Sequence, residues 1–162
     1  MMHITKNLSH LDETGRAKMV DVSNKDDTER VAIAKGEVVM KVNTLEMIRQ
    51  GMVTKGDVLT VAQIAGIMAA KRTSELIPMC HLLPLLDIKV DLTLDTNLPG
   101  VQITSYVKTI AKTGVEMEAL MAVAVAGLTI YDMVKAAEKT IRIQNIRLVK
   151  KTGGRSGEVE NE

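Results

Sequence analysis

Tyr131-Asp132-Met133-Val134-Lys135 sets a carboxylate and an ammonium three positions apart, so that on a helix the two share a face. Such a pair can shuttle protons where its surroundings perturb both pKa values. The same spacing is common in solvated surface ion pairs, which contribute little, and taken alone it favours that plainer reading. Lys55-Gly56-Asp57 puts a lysine just ahead of a helix start, where free N–H groups and the helix dipole attract anions. An ordinary loop lysine beside an Asp cap explains it equally. Lys71-Arg72 closes the same helix, where cations complement the dipole.

Pro78-Met79-Cys80-His81-Leu82-Leu83-Pro84 is a proline-bracketed loop presenting an imidazole, the side chain that titrates near neutrality. Adjacent residues of an extended loop point apart, so Cys80 and His81 do not form a simple thiolate–imidazole pair. The three histidines, His3, His10 and His81, offer no metal-ligand spacing. Lys112-Thr113-Gly114-Val115-Glu116-Met117-Glu118 opens a helix; Glu116 suits a capping box with Thr113, whereas Glu118 lies nearer the apolar face. Lys150 to Gly157 combines glycines with cations able to wrap a polyphosphate, or forms a basic tail. Together Lys55, Lys71, Arg72, Lys135, Lys151 and Arg155 suit a substrate with several phosphates.

These residues must be positioned by a small number of elements. Val31, Ile33 and Val38–Met40 predict a strand over 30–41 with a bulge at Gly36. Asn43 is placed to cap a short helix, Thr44–Gln50, with Glu46 at its third position and Gly51 beyond its end. Asp57 is placed to cap a longer helix with the apolar stripe Val58, Val61, Ile64, Ala65, Met68 and Ala69. Leu86, Ile88, Val90, Leu92 and Leu94 alternate with polar residues, the clearest strand pattern in the chain. After the turn Asn97–Gly100, Val101, Ile103, Ser105 and Val107 predict its partner. A long helix follows to about Lys139, then a last strand over Ile141–Val149. The order β-α-β-β-α-β, with its first helical connection split, is that of an α+β ferredoxin-like sandwich, an antiparallel sheet with helices on one face. The other face is left to water, to the extra segments or to another subunit.

The 162 residues predict one domain over 16–152, a loose lead at 1–15 and a mobile Gly-rich tail at 153–162. Only 1% of residues are aromatic, which leaves single-stranded nucleic acid without stacking platforms and sets aside an RNA-binding domain of the same topology. A net charge of +1 gives no global field towards DNA or membrane. The single cysteine fits a reducing compartment. The longest apolar run, Met121–Leu128, is too short to span a bilayer, and Met1–Ser9 contains no apolar signal segment. A cytoplasmic protein is expected.

Several stretches resemble the cyclic pyranopterin monophosphate synthases of molybdenum-cofactor biosynthesis (the molybdenum cofactor biosynthesis protein C family). They are Met19–Ser23, Lys55–Val58, Ala65–Ile67, Ala70–Thr73, Leu76–His81, Lys112–Leu120 and Leu128–Ala136, in order and without a large gap between about Gly15 and Gly157. The resemblance implies a ferredoxin-like lyase. It would convert 3′,8-cyclo-7,8-dihydroguanosine 5′-triphosphate into cyclic pyranopterin monophosphate and pyrophosphate, in a homo-hexamer (a trimer of dimers) with sites at dimer interfaces. By position it implies Asp132 as catalytic acid/base and Lys135 as essential lysine. Met79, Cys80, His81, Met117 and Glu118 become substrate contacts, joined by the basic residues Arg30, Lys55 and Lys151. Met79 stands where the family commonly has an aliphatic residue. No resident cofactor is implied, only Mg²⁺ as a possible companion of the triphosphate, and no nucleic acid or membrane partner. A non-catalytic nucleotide- or pterin-binding module of the same fold is the alternative.

Overall fold

The computed structural model describes residues 14–154 and 157–162; nearly all of the expected N-terminal lead, and Arg155, lie outside them. In chain order the elements are β1 (Thr28–Val39), α1 (Val42–Arg49), α2 (Val58–Lys71), α3 (Thr73–Leu76), β2 (Leu85–Asp95), β3 (Gly100–Ala111), α4 (Glu116–Val134), β4 (Arg142–Thr152) and β5 (Val159–Glu160). The sheet order is β2-β3-β1-β4-β5, and every neighbouring pair is antiparallel. Its first four strands follow the split β-α-β ferredoxin-like arrangement, with α2 and α4 stacked over one face.

The core is built on small residues. The α4 side chains that turn inward include Ala119, Ala122, Val123, Ala126, Gly127 and Ile130, and β1 meets them with Ala32, Ala34 and Val38, all fully buried. The bulky Val31 and Ile33 of β1, whose pattern suggested the strand, sit half-buried on the opposite face. Gly36 marks where α4 crosses closest: a Cβ there would come within 2.6 Å of Val123 Cγ1. The expected bulge does occur beside Gly36, but the extra residue is in β4, where Asn145 takes φ 53°.

The same inversion governs α2. Its buried face is Val58, Ala62, Gly66, Ala69 and Ala70, with Gly66 against the Ala122 carbonyl. Val61, Ile64 and Met68, expected in the core, point outward, and Ile64 is 56% exposed. Two helices this close leave room only for small residues between them.

Asp57 caps α2 as expected, accepting from the Thr60 N–H at 3.1 Å. The α1 cap is different. Its N-cap is Lys41 and no side chain of the same turn caps it. The Lys41 N–H instead donates to Glu138 Oε2 at 2.8 Å, from the connection after α4. Glu46 pairs with Arg49 and Gln50. No capping box forms at Thr113: the N-cap of α4 is Val115, without a side-chain bond. That helix ends at Val134 rather than near Lys139, because the chain turns to bring Glu138 to α1. By length and composition α4 is apolar enough to cross a membrane, unlike the shorter run expected from sequence, yet half of its most apolar window is buried on the sheet and α2.

In β2, Leu85 and Leu86 together face Thr109, so the chain bulges there. Leu86 is thereby pushed outward to 58% exposure, and Leu85 packs on the core in its place. Charged and polar side chains share the sheet face away from the helices with Val31 and Ile33. Lys108 pairs with Glu29 at 2.6 Å, and the Lys89 ammonium lies 5.3 Å from the Tyr106 ring centre. The C-terminal segment, expected to be a mobile tail, carries β5 on β4; Lys35 and Arg147 both pair with Glu162.

Candidate functional site

Polar side chains gather at the two ends of α4. At its C-terminal end Asp132 occupies the last helical turn, where the dipole disfavours a carboxylate. Two lysines offset this: Lys135 Nζ lies 2.7 Å from Oδ1 and Lys55 Nζ 2.7 Å from Oδ2. Lys55 reaches it from the tight turn before α2, where Gly56 takes φ 99°. Hydrogen bonds from Lys135 and then Lys55, with their charges, pull the Asp132 carboxyl down to about 2. The bond to Asp132 holds the Lys135 ammonium above its ordinary value. At neutral pH the cluster is one carboxylate between two ammonium groups, with a net positive charge that suits phosphate oxygens.

The N-terminal end of α4 borders a cleft of about 350 Å³, lined among others by Met79, Cys80, His81, Glu116, Met117 and Glu118. Loop 78–84 and the start of α4 therefore converge here. Glu118 is almost fully buried. Burial raises its carboxyl to about 6, with the Glu116 charge adding to this and its own backbone N–H opposing it. Burial, then the Glu118 charge, also raises the Cys80 thiol, which keeps the sulfur protonated and unsuited to nucleophilic attack near neutrality. Glu116, expected as a capping residue, instead pairs with Lys151 of β4 at 2.8 Å. Arg30 comes in from the start of β1 and donates to the Lys112 carbonyl at 3.3 Å. Gly153 and Gly154, both at positive φ, pass tightly over it.

The structure thus brings Met79, Cys80, His81, Met117 and Glu118 together, with Arg30 and Lys151 beside them, and separates them from Asp132, Lys135 and Lys55. Glu118 and Asp132 stand about four turns apart on one helix, ~21 Å at ~1.5 Å per residue. Lys55 belongs with Asp132, not with the other basic contacts.

Val20, Val22 and Lys25 were not singled out as site residues from sequence, although all lie in or next to the Met19–Ser23 stretch. All three line the cleft, and the Lys25 side chain has no ion-pair partner among the described residues. Lys71 and Arg72 likewise form no ion pair among them, and end α2 exposed. No three His, Cys, Asp or Glu side chains converge as a metal-ligand set among the described residues. A carboxyl that titrates near neutrality, a neutral thiol, an imidazole and apolar methionines suit recognition of a polar heterocycle and proton transfer to it.

The chain is similar along nearly its whole length to several known proteins. A protein of Methylobacterium nodulans is 59% identical over 155 residues, 96% of this chain and 97% of its own. One of Nostoc sp. is 59% identical over 152 residues, and one of Thermomicrobium roseum 55% over 150, each covering 90% of the relative. All three are named cyclic pyranopterin monophosphate synthase. The model of the MoaC family matches residues 19–154, from the segment that walls the cleft to the glycines over Arg30, and the chain belongs to that family.

Proposed function

We propose that this protein is the lyase that converts 3′,8-cyclo-7,8-dihydroguanosine 5′-triphosphate into cyclic pyranopterin monophosphate and pyrophosphate in molybdenum-cofactor biosynthesis. The observation that carries the reading is the 55–59% identity to synthases of that name over nearly the whole chain. The two clusters supply what such a reaction needs. Rebuilding the ring system requires repeated proton transfers, for which Glu118, His81 and Asp132 are suitable groups. Closing the cyclic phosphate expels pyrophosphate, whose charge Lys55 and Lys135 would stabilise. No resident cofactor is needed for these steps; Mg²⁺ would enter with the triphosphate.

The distance between the clusters favours a site shared by two copies, the Asp132 end of one facing the Glu118 end of another. The outward apolar residues Val61, Ile64, Met68 and Leu128, each more than 40% exposed in the single chain, offer surface for such an assembly. A homo-hexamer built as a trimer of dimers, in the cytoplasm where Cys80 stays reduced, is the assembly this reading takes.

The direct assay supplies the cyclised dihydroguanosine triphosphate and follows pyrophosphate and the pterin product. Folded protein that binds this compound without forming either product would favour the non-catalytic binding module. Co-expression of Asp132→Ala with Glu118→Ala tests the shared site. Activity above that of either variant alone is expected; none would place both clusters at work within one chain.

A further inference from the structure

His81 holds a hydrogen bond whose direction is set by chemistry. Its Nε2 lies 2.9 Å from the backbone carbonyl of Val20. A carbonyl oxygen only accepts, so Nε2 carries the proton. In the neutral ring the lone pair then belongs to Nδ1, which has no hydrogen-bond partner among the described residues.

The Val20 carbonyl is itself held in place. Asp21 Oδ1 accepts from the Ser23 N–H at 2.8 Å and from its hydroxyl at 2.5 Å, closing a tight turn. Lys25 N–H donates to the Val22 carbonyl at 3.0 Å. Lys112 Nζ, just ahead of α4, ties the Ser23 carbonyl at 2.7 Å. On the other side His81 sits in the loop bracketed by Pro78 and Pro84. The charged groups lining the same cleft are Lys25, Glu116 and Glu118.

We propose that segment 20–25 is a positioning strap that fixes His81 as its Nε2–H tautomer, leaving Nδ1 as an acceptor for a hydroxyl or ring N–H donor of the substrate. The inference rests on the cleft being where the substrate's heterocycle binds. Neutral His81 in this state cannot donate to a phosphate oxygen from Nδ1. It therefore selects a donor-bearing part of the substrate for this end of α4, and it can take that donor's proton. The phosphates are left to the lysines. The specificity arises from a backbone carbonyl, so no side chain of the strap reveals it.

Histidine-selective ¹⁵N NMR of the whole protein, about two pH units above the ordinary imidazole pKa, reads the tautomer directly. The His81 signals are identified by their loss in His81→Gln. A protonated Nε2 and a bare Nδ1 are expected; a protonated Nδ1 would overturn the proposal whatever the activity. The two variants read the consequence. His81→Asn keeps a polar atom near Nδ1, whereas His81→Gln keeps one near Nε2 for Val20. His81→Asn should retain at least about tenfold more kcat/KM, the effect of one hydrogen bond to substrate; the reverse order overturns the proposal. The expected tautomer with undiminished turnover in both variants would instead remove His81 from the substrate, and with it the reading of the cleft.

Discussion

Lys55 and Asp132, separated by 77 positions, are joined twice: the lysine Nζ lies 2.7 Å from Oδ2 and 2.8 Å from the backbone carbonyl of the aspartate. The second bond satisfies a carbonyl near the C-terminus of α4, where the helix leaves such groups unpaired. Lys55 therefore caps the helix and, after Lys135, helps to hold its carboxylate ionised. A triphosphate approaching this cluster competes with Asp132 for Lys55 and Lys135. Losing their bonds would raise the carboxyl from about 2 towards the range where it can carry protons.

Replacing Asp132 with Asn keeps the shape but removes the carboxylate on which the proposed acid/base role depends. Turnover to pyrophosphate should fall about 10²-fold or more, with the melting curve intact. A variant as fast as the parent would take Asp132 out of acid/base chemistry.

Glu118 makes stability depend on pH. Burial raises its folded-state pKa to about 6, above the ordinary 4.5, so between these values the folded protein binds more protons than the unfolded chain. This group's contribution to stability consequently falls as pH rises through that window. Glu118→Gln should remove the slope and stabilise the fold at pH 7 by about 1 kcal/mol after solvent screening. Denaturant titrations at pH 4 and 7 would show it, and an unchanged slope would mean Glu118 is not strained by its burial.

Lys25 is the cleft-lining cation without an acid partner among the described residues. Lys25→Ala should raise KM about tenfold with little change in kcat, as expected for lost binding shared by ground and transition states. Steady-state kinetics decide; a fall in kcat alone would contradict this assignment.

Glu138 is the cap that α1 lacks locally. Burial pushes its carboxyl up, but hydrogen bonds from Thr140, the Lys41 N–H and Thr44 outweigh this and hold it below the ordinary value. Its contribution is therefore complete above the ordinary carboxylate pKa and fades as pH falls through the lower folded value. Glu138→Ala should cost about 1–2 kcal/mol, lowering Tm by about 2–8 °C for a chain of this size. A Tm unchanged at pH 7 but lowered at pH 3 would reverse the predicted sign.

Gly36→Ala drives a methyl into Val123 and should destabilise by about 1–3 kcal/mol. Adding Val123→Ala should recover part of that loss, which a double-mutant cycle measures. Simple additivity of the two losses would mean that α4 does not press on β1 at this point.

The order of the first four strands and of α1, α2 and α4, the Asp57 cap, the alternation of β2 and the types of residue in the Tyr131–Ala136 and Lys112–Leu120 stretches were legible in the sequence, whereas α3 and β5 were not. Each legible feature depends on neighbours within a few positions, and local periodicity reports that directly. The inward face of α2 and β1 was not legible this way. Bulky apolar residues suggested a core, yet Ala62, Gly66, Ala32 and Ala34 face it, because how closely two elements approach is a property of the pair. The cap of α1 by Glu138, the bond from His81 to the Val20 carbonyl and the pairing of Lys55 with Asp132 join residues distant in the chain. Residue types and local spacing fix which polar groups the chain carries; the fold sets them at opposite ends of α4, because a straight helix holds residues four turns apart ~21 Å from one another.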